Sequence, residues 1–298
     1  MKAVFIGLGH IGLPTAAVLA SKGFQVICVD VNHELVNAFN LGKIYIPDPD
    51  LEKMIREAVD SGNLKASVTP EPADVFFIAV PFKTTRRTGI SSVEFAMCMA
   101  LPFLRPGNLL IIKSTSPVKT TERIAALIYK KRPELKDQIY IAYCTERIMP
   151  GNILFVLEQS DRVIGGVNPE SAEKAAEFYS YFIKGELYKT DTRTAERYKL
   201  GENTYRHKQR IAFTGKLSVS WNDNDRPQAD LCVSRVLAAC GEFTHRTGTW
   251  PIVACMGLTY KPDTDDVRES FAMNVTSRLI VNAQFDVLAV EPNIKSHK

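Results

Sequence analysis

The chain alternates between short apolar runs and longer stretches with helical spacing. Lys2-Ala-Val-Phe-Ile6 is too short for a helix and has no polar face, which predicts a strand buried on both sides. Residues 13–22 read as a helix and Val26-Ile-Cys-Val29 as a second strand. Helical spacing returns at 32–40, at 51–61 (Leu51, Ile55 and Val59 at four-residue steps), at 93–104 and at 120–131. Apolar runs at 75–80, 109–112 and 139–142 predict further buried strands, and Pro81 and Pro106-Gly107 punctuate them. Such alternation predicts an α/β fold: a doubly wound parallel sheet with ligands outside the carboxyl ends of its strands. Pro81, the Ser114-Thr-Ser-Pro117 exit turn and the segment from Tyr143 to Arg147 all fall at those ends. Beyond them, 171–182 and 191–216 read as helices and 229–240 as a shorter one.

The first crossover carries chemistry. Between its strands lies Gly7-Leu-Gly9-His-Ile-Gly12, and the second strand ends in Asp30. Strand, G-x-G-x-x-G, helix, strand and acid form the dinucleotide fingerprint in full context, which makes the fold Rossmann-like. Gly7 permits the tight turn, Gly9 lets the backbone approach a pyrophosphate, and Gly12 lets helix and strand pack closely. His10 and Ile11 complete the loop, and the helix start offers its positive end to the phosphates. Asp30 stands eighteen positions past Gly12, placed to bind a ribose diol and repel a 2′-phosphate. The cofactor expected is therefore NAD.

Composition changes this picture little. At 298 residues, 45% hydrophobic and 23% charged, the chain is an ordinary globular protein long enough for more than one domain. A net charge of +4, scattered along the chain, gives no reason to expect nucleic acid. No apolar run reaches transmembrane length and a strand starts at once, so neither a membrane span nor a secretory signal is expected. Six cysteines without C-x-x-C spacing read as reduced core residues of a cytoplasmic protein, with neither disulfide frame nor metal site.

Taken in order, six segments resemble one family, the nucleotide-sugar 6-dehydrogenases of the UDP-glucose/GDP-mannose dehydrogenase type. They are Gly7 to Pro14, Ser114-Thr-Ser-Pro-Val118, Ala142-Tyr-Cys-Thr-Glu-Arg147, Asp161-Arg-Val-Ile-Gly-Gly166, Arg193-Thr-Ala-Glu196 with Lys199-Leu200, and Gly257-Leu-Thr-Tyr-Lys261 with Asp265-Asp-Val-Arg-Glu-Ser270. The resemblance implies NAD-dependent oxidation of a UDP-sugar to its uronic acid in surface-polysaccharide synthesis. Its nearest branch acts on UDP-N-acetylhexosamines such as UDP-N-acetylmannosamine. It implies a homodimer built on the long helix, a catalytic Lys199–Asn203 pair with an ordered water, Thr115 positioning that water beside the cofactor, and Glu146 assisting hydrolysis of a covalent intermediate. Arg268 corresponds to a cofactor contact, and Glu146, Arg147, Lys199, Asn203 and Lys261 to substrate contacts. Without the motif, Lys199–Asn203 would be a solvent-facing helix pair, Glu146–Arg147 a surface ion pair, and Thr115 a turn former.

The sequence also departs from the family. The second oxidation there uses a cysteine in a Gly-Gly-x-Cys loop with Asp four residues on, and this chain has no such loop. Between Leu217 and Pro251, Cys240-Gly241 is the nearest candidate and Cys232 the next, and both read as buried helix residues. The division expected is a Rossmann domain at 1–189, a shortened helical and dimerisation region at 190–249, and a truncated UDP-binding-type βαβ unit at 250–298. Three functions stay open: the family's four-electron oxidation, a two-electron β-hydroxyacid-type dehydrogenase, and an inactive NAD-binding remnant.

Overall fold

Strand β1 (Lys2–Ile6) is buried on both faces because helices cover it from two sides. It is followed by α1 (Gly12–Ser21), β2 (Gln25–Val29), α2 (His33–Asn40), α3 (Pro49–Asp60), β3 (Leu64–Ser67) and β4 (Val75–Ile78). Next come α4 (Ser92–Ala100), β5 (Leu109–Ile112), α5 (Thr120–Lys131), β6 (Tyr140–Tyr143), α6 (Ile153–Gln159), β7 (Arg162–Gly166), α7 (Pro169–Tyr179), β8 (Leu187–Asp191) and α8 (Thr192–Ile211). Then follow α9 (Arg226–Thr247), β9 (Val253–Met256), α10 (Phe271–Asn282) and β10 (Val287–Val290). This computed structural model describes residues 1–43, 48–82, 91–146, 153–211, 226–259, 267 and 270–294, and the side chains of 203–211 and 226–228 lie outside the description. The chain divides into two units, Met1–Arg206 and His207–Lys298.

The first unit holds an eight-stranded sheet in the order β3-β2-β1-β4-β5-β6-β7-β8. Strand order reverses between β1 and β4, which is where doubly wound sheets open a crevice for ligand. Alternate residues of each strand feed two cores. Ala3, Phe5, Val26, Cys28, Phe77 and Ile111 face α1, α3, α6 and α7, whereas Val4, Ile6, Ile27, Phe76, Ile78 and Ile112 face α4 and α5. Because both their faces are covered, β1, β2, β4, β5 and β6 are almost wholly apolar, and so their positions were predictable.

Several details differ from the sequence expectation. The sheet is mostly parallel rather than wholly so, since β7 runs antiparallel to β6. Strand β3 is a four-residue edge with Lys65 exposed, and β8 is largely exposed, so neither shows an apolar run. The helix expected over 93–104 ends at Ala100 and tightens into a 3₁₀ turn at Leu101–Phe103, where Pro102 supplies no N–H. Helix α9 is 22 residues long, well beyond the segment expected at 229–240. The cysteines are free but not uniformly core: Cys28, Cys144 and Cys240 are buried, Cys232 and Cys255 are half-buried, and Cys98 is exposed. Helix α4 buries Val93, Ala96, Met97 and Ala100, which leaves Cys98 on its outer face. Among the described residues, no helix is long and apolar enough to cross a membrane.

In the second unit α10 connects the parallel strands β9 and β10, and α9 packs on α10 with an ion pair from Arg278 to Asp230. This crossover is built like the first. Gly7 donates its N–H to Val29 O at 2.7 Å, and Gly257 donates to Val290 O at 2.8 Å. Leu8 N donates to the Asp30 carboxylate at 3.1 Å, and Leu258 N to the Glu291 carboxylate at 2.7 Å. Asn32 N closes on the other Asp30 oxygen, as Asn293 N does on Glu291. Thr259 takes the place that Gly9 holds in the first loop, and its N–H and hydroxyl also donate to Glu291. A side chain therefore stands where the first loop keeps its backbone bare.

Candidate active site

The fingerprint loop has a reason for each glycine. Gly7 adopts φ +112°, and a Cβ there would lie 2.5 Å from the Ala79 carbonyl at the end of β4. A Cβ on Gly12 would lie 2.5 Å from Gly7 O, so α1 approaches β1 only because that atom is missing. At Gly9 an added Cβ meets nothing nearer than 4.0 Å, which leaves the outer side of the loop free for a ligand's approach. Helix α1 starts with no side-chain cap at Ile11 and no acid in its first turn, so its positive end is not neutralised locally. Asp30 is drawn to the same loop by Leu8 N, and His10 and Ile11 are half-buried beside it. Open backbone, a helix start and a carboxylate in one crevice fit the diphosphate and ribose of a dinucleotide.

Charged residues converge at the carboxyl ends of β5 and β6 and the start of β7. Lys113 leaves β5 with 1% exposure, and Glu146, three residues past β6, is 3% exposed. The Lys113 ammonium donates to Glu146 Oε1 and lies 3.5 Å from the Tyr179 hydroxyl. Arg162 opens β7 with 1% exposure, and its Nη2 stands 2.7 Å from Glu146 Oε2. Its N–H groups point at carbonyls instead: Nη2 donates to Leu157 O at 2.5 Å and Nη1 to Ser160 O at 2.9 Å. Arg162 is thus a charge partner of Glu146 and a main-chain clamp. Lys199, 7% exposed on α8, donates from Nζ to the Glu146 main-chain oxygen at 3.0 Å and lies 3.4 Å from Glu202. Thr115 is half-buried between the buried residues Ser114 and Ser116 on the β5 exit turn.

The neighbouring groups feel this enclosure. Burial pushes the Cys144 thiol up to about 11, and the Glu146 carboxylate adds to that rise. Burial first, then Cys144 and Glu146, likewise raise the Tyr179 phenol well above its ordinary value. A cleft of about 80 Å³ opens nearby, lined by Thr145, Asp161, Tyr188, Tyr198 and Glu202 among others. Among the described residues no group of three His, Cys, Asp or Glu side chains could hold a metal ion.

Helix α8 is seated by two segments far apart in sequence. A Cβ on Gly165 would stand 2.6 Å from Asp191 O and 2.7 Å from Ala195 Cβ, so this glycine of β7 gives α8 its close approach. Glu196, fully buried, accepts from Thr121 N at 2.8 Å, from the Thr121 hydroxyl at 2.7 Å and from Lys119 N at 2.5 Å. It supplies from α8 the N-terminal cap that α5 lacks locally. Burial nonetheless raises its pKa. Lys199 lies one turn further along the same helix.

Residues 1–183 match the NAD-binding domain of the UDP-glucose/GDP-mannose dehydrogenase family, and residues 254–298 match that family's UDP-binding domain. The chain belongs to this family. NAD is the cofactor of the UDP-glucose/GDP-mannose dehydrogenases and of this member, and the loop at Gly7–Gly12 lies within the matched NAD-binding domain. The chain is 35% identical to the NDP-N-acetyl-D-galactosaminuronic acid dehydrogenase of Ralstonia nicotianae, over 97% of its own length and 82% of the relative's. It is also 35% identical to the UDP-N-acetyl-D-mannosamine dehydrogenase of Campylobacter jejuni, over 99% and 87%. In three dimensions it is similar to the UDP-N-acetyl-mannosamine dehydrogenase of Staphylococcus aureus, with a TM-score of 0.81, 30% identity, and coverage of 99% of this chain and 84% of that one.

Of the residues singled out from sequence, Gly7, Gly9, His10, Ile11, Gly12 and Asp30 meet at one crevice, and Glu146 meets Lys199. Neither of these two is the surface residue that spacing alone would suggest. Asn203 lies on α8, four residues past Lys199, but its side chain is outside the described residues, as are Arg147, Lys261 and Arg268. Sequence reasoning missed Lys113, Arg162 and Glu196 as participants. The available signal was a lysine directly after Leu-Leu-Ile-Ile112 and an arginine directly before Val-Ile-Gly-Gly166.

Proposed function

We propose that the chain oxidises the primary alcohol of a UDP-N-acetylhexosamine, UDP-N-acetylmannosamine first among them, with NAD as hydride acceptor. The observation that carries this reading is the buried contact between Lys199 and Glu146 at the carboxyl ends of the sheet strands. Loss of hydride from a primary carbinol gives an aldehyde, and the hydroxyl proton leaves with it. NAD, when bound, takes up the hydride. We assign the substrate oxygen to the Lys199 amino group and the Asn203 amide, and Thr115 to the water that relays the proton. Arg147 and Lys261 are assigned to the substrate and Arg268 to the cofactor, by their places in the family motifs. A homodimer, a cytoplasmic setting and a role in surface-polysaccharide synthesis belong to the same reading, by the resemblance of the sequence motifs to the family.

The first oxidation is the step this chain is equipped for. A second oxidation by way of a thioester needs a thiolate. The Gly-Gly-x-Cys loop that carries the family's reacting thiol is absent from this sequence, and Cys28, Cys144 and Cys240 are buried. A one-hydride reaction ending at the aldehyde is therefore the second reading. Stopped-flow absorbance of NADH with enzyme in excess over UDP-N-acetylmannosamine, followed by product mass, separates the cases. Two NADH per sugar with a uronic acid support the full reaction, and one NADH with a trapped aldehyde supports the shorter one. NAD binding without NADH formation defeats both.

A further inference from the structure

We infer that Glu196 is a positioning residue for the oxidation: its carboxylate ties the turn that carries Thr115 to α8, the helix that carries Lys199. This rests on the assignments of Thr115 and Lys199 above. Glu196 is fully buried and takes no part in the proposed hydride and proton transfers. Its Oε1 accepts from Thr121 N at 2.8 Å and from the Thr121 hydroxyl at 2.7 Å, and its Oε2 accepts from Lys119 N at 2.5 Å. Lys119 and Thr121 lie only four and six residues past Thr115.

The turn is held at both ends. Ser114 donates to Ile78 O from its N–H at 3.2 Å and from its hydroxyl at 3.3 Å, which pins the entry to the end of β4. Glu196 pins the exit. Between the pins Thr115 is half-buried, the ring of Pro117 fixes φ, and Pro117 O accepts from Thr120 N at 3.2 Å and from the Thr120 hydroxyl at 2.7 Å. Lys119 adopts φ +76°, a left-handed conformation that a lysine keeps only where its surroundings hold it. The N–H presented in that conformation is the one that meets Glu196 Oε2. A carboxylate suits the place for a second reason. Helix α5 has no side-chain cap at Lys119, so its first N–H groups need an acceptor and its positive end favours an anion. The ion pair of Arg193 with Glu122 also joins α8 to α5, but it is exposed and contributes little in water. Lys199 follows Glu196 by one turn of α8. Loss of the carboxylate therefore frees the Thr115 turn relative to Lys199 and leaves both of those side chains intact.

The test uses the full-length chain with Glu196→Gln, Thr115→Val and the double variant, and reads kcat and KM for NADH formation on UDP-N-acetylmannosamine. An amide offers one acceptor oxygen where the carboxylate offers two, so Glu196→Gln loses either the Thr121 or the Lys119 bonds. It should lower kcat about 10²-fold, the loss expected from a misplacement on the ångström scale, with KM little changed. Thr115→Val should lower kcat by as much or more. Adding Glu196→Gln to it should lower kcat no further, because the turn then has nothing left to position. Wild-type kcat in Glu196→Gln would overturn the inference. So would losses that multiply in the double variant, the result of a glutamate that only stabilises the fold. Amide hydrogen exchange, read residue by residue by mass spectrometry without substrate, gives a second measurement. Exchange in Glu196→Gln should quicken at Lys119 and Thr121 and spread to Thr115 and Ser116; quickening confined to Lys119 and Thr121 would overturn the inference. If Glu196→Gln fails to fold, Thr121→Val, which keeps the shape and removes one of the three bonds, takes its place. A smaller loss of kcat that does not add to Thr115→Val then supports the inference, and wild-type kcat and exchange overturn it. A wild-type chain that makes no NADH removes the proposed activity, yet the exchange still decides whether Glu196 holds the turn.

Discussion

The Lys199 ammonium donates to the main-chain oxygen of Glu146 at 3.0 Å, although 53 residues separate them. The contact joins α8 to the carboxyl end of the sheet, where an α/β fold places its chemistry. Glu146 is held there by Lys113 and Arg162, and α8 by Glu196 and the close approach at Gly165. The amino group is therefore fixed by contacts outside its own helix.

Lys199 is proposed to handle the reacting oxygen, so its loss should show in turnover. Lys199→Met should lower kcat for NADH formation roughly 10²- to 10⁴-fold, the range for losing a positioned proton-transfer group. NAD affinity, measured by fluorescence titration, should stay at its wild-type value because the fingerprint loop is untouched. Equal losses in NAD affinity and kcat would place Lys199 in cofactor binding instead.

At the fingerprint loop, Asp30 holds Leu8 N with one oxygen and Asn32 N with the other. Asp30→Asn keeps the size of the side chain and removes the charge. NAD should bind roughly 10- to 100-fold more weakly, matching the ~1.5–3 kcal/mol of a hydrogen bond to a charged group. NADP should bind better than it does to the wild type, since the repulsion of its 2′-phosphate is gone. Titration with both nucleotides decides; an unchanged preference would take the ribose from Asp30.

Two glycines should respond oppositely to alanine. At Gly12 the new methyl would meet Gly7 O at 2.5 Å, backbone against backbone, so strand and helix must separate. Gly12→Ala should cost about 1–3 kcal/mol, as overpacking does, and weaken NAD binding. At Gly241, inside α9, a Cβ meets nothing within 4 Å. Gly241→Ala should raise the stability of α9 by about 1 kcal/mol. Circular-dichroism melts should show Tm moving down in the first variant and up in the second.

How far the sequence can be read follows from what each residue buries. Strands β1, β2, β4, β5 and β6 are covered on both faces, so beyond the polar first residues of β1 and β2 they are apolar runs and stand out. Strand β3 has one exposed lysine in four residues and β8 is mostly exposed, so neither differs from a loop by composition. The fingerprint was legible because local geometry demands glycine at fixed spacing. Lys113, Arg162 and Glu196 were not, because a charge at a strand end or helix start is ordinarily solvated. Only the tertiary arrangement shows that these three are buried and which residues they hold. The antiparallel β7 is hidden for the same reason, since nothing local in Arg-Val-Ile-Gly-Gly166 encodes direction.

Glu196 gives the molecule a pH dependence with a definite sign. Burial raises its pKa above the ordinary 4.5, despite the cap bonds to Thr121 and Lys119 that oppose the rise. In the window between 4.5 and the raised folded value, the folded chain holds this proton more tightly than the unfolded chain does. Stability contributed by Glu196 is thus complete below 4.5 and is lost as pH rises through the folded value. Most carboxylates in folded proteins, paired and with depressed pKa, act in the opposite direction. Glu196→Gln removes the titration while keeping an acceptor oxygen for the α5 cap. Urea midpoints measured from pH 4 to 8 should decline less with pH in Glu196→Gln than in the wild type. Parallel curves would mean that the cap bonds offset burial fully and that Glu196 has the same pKa folded and unfolded.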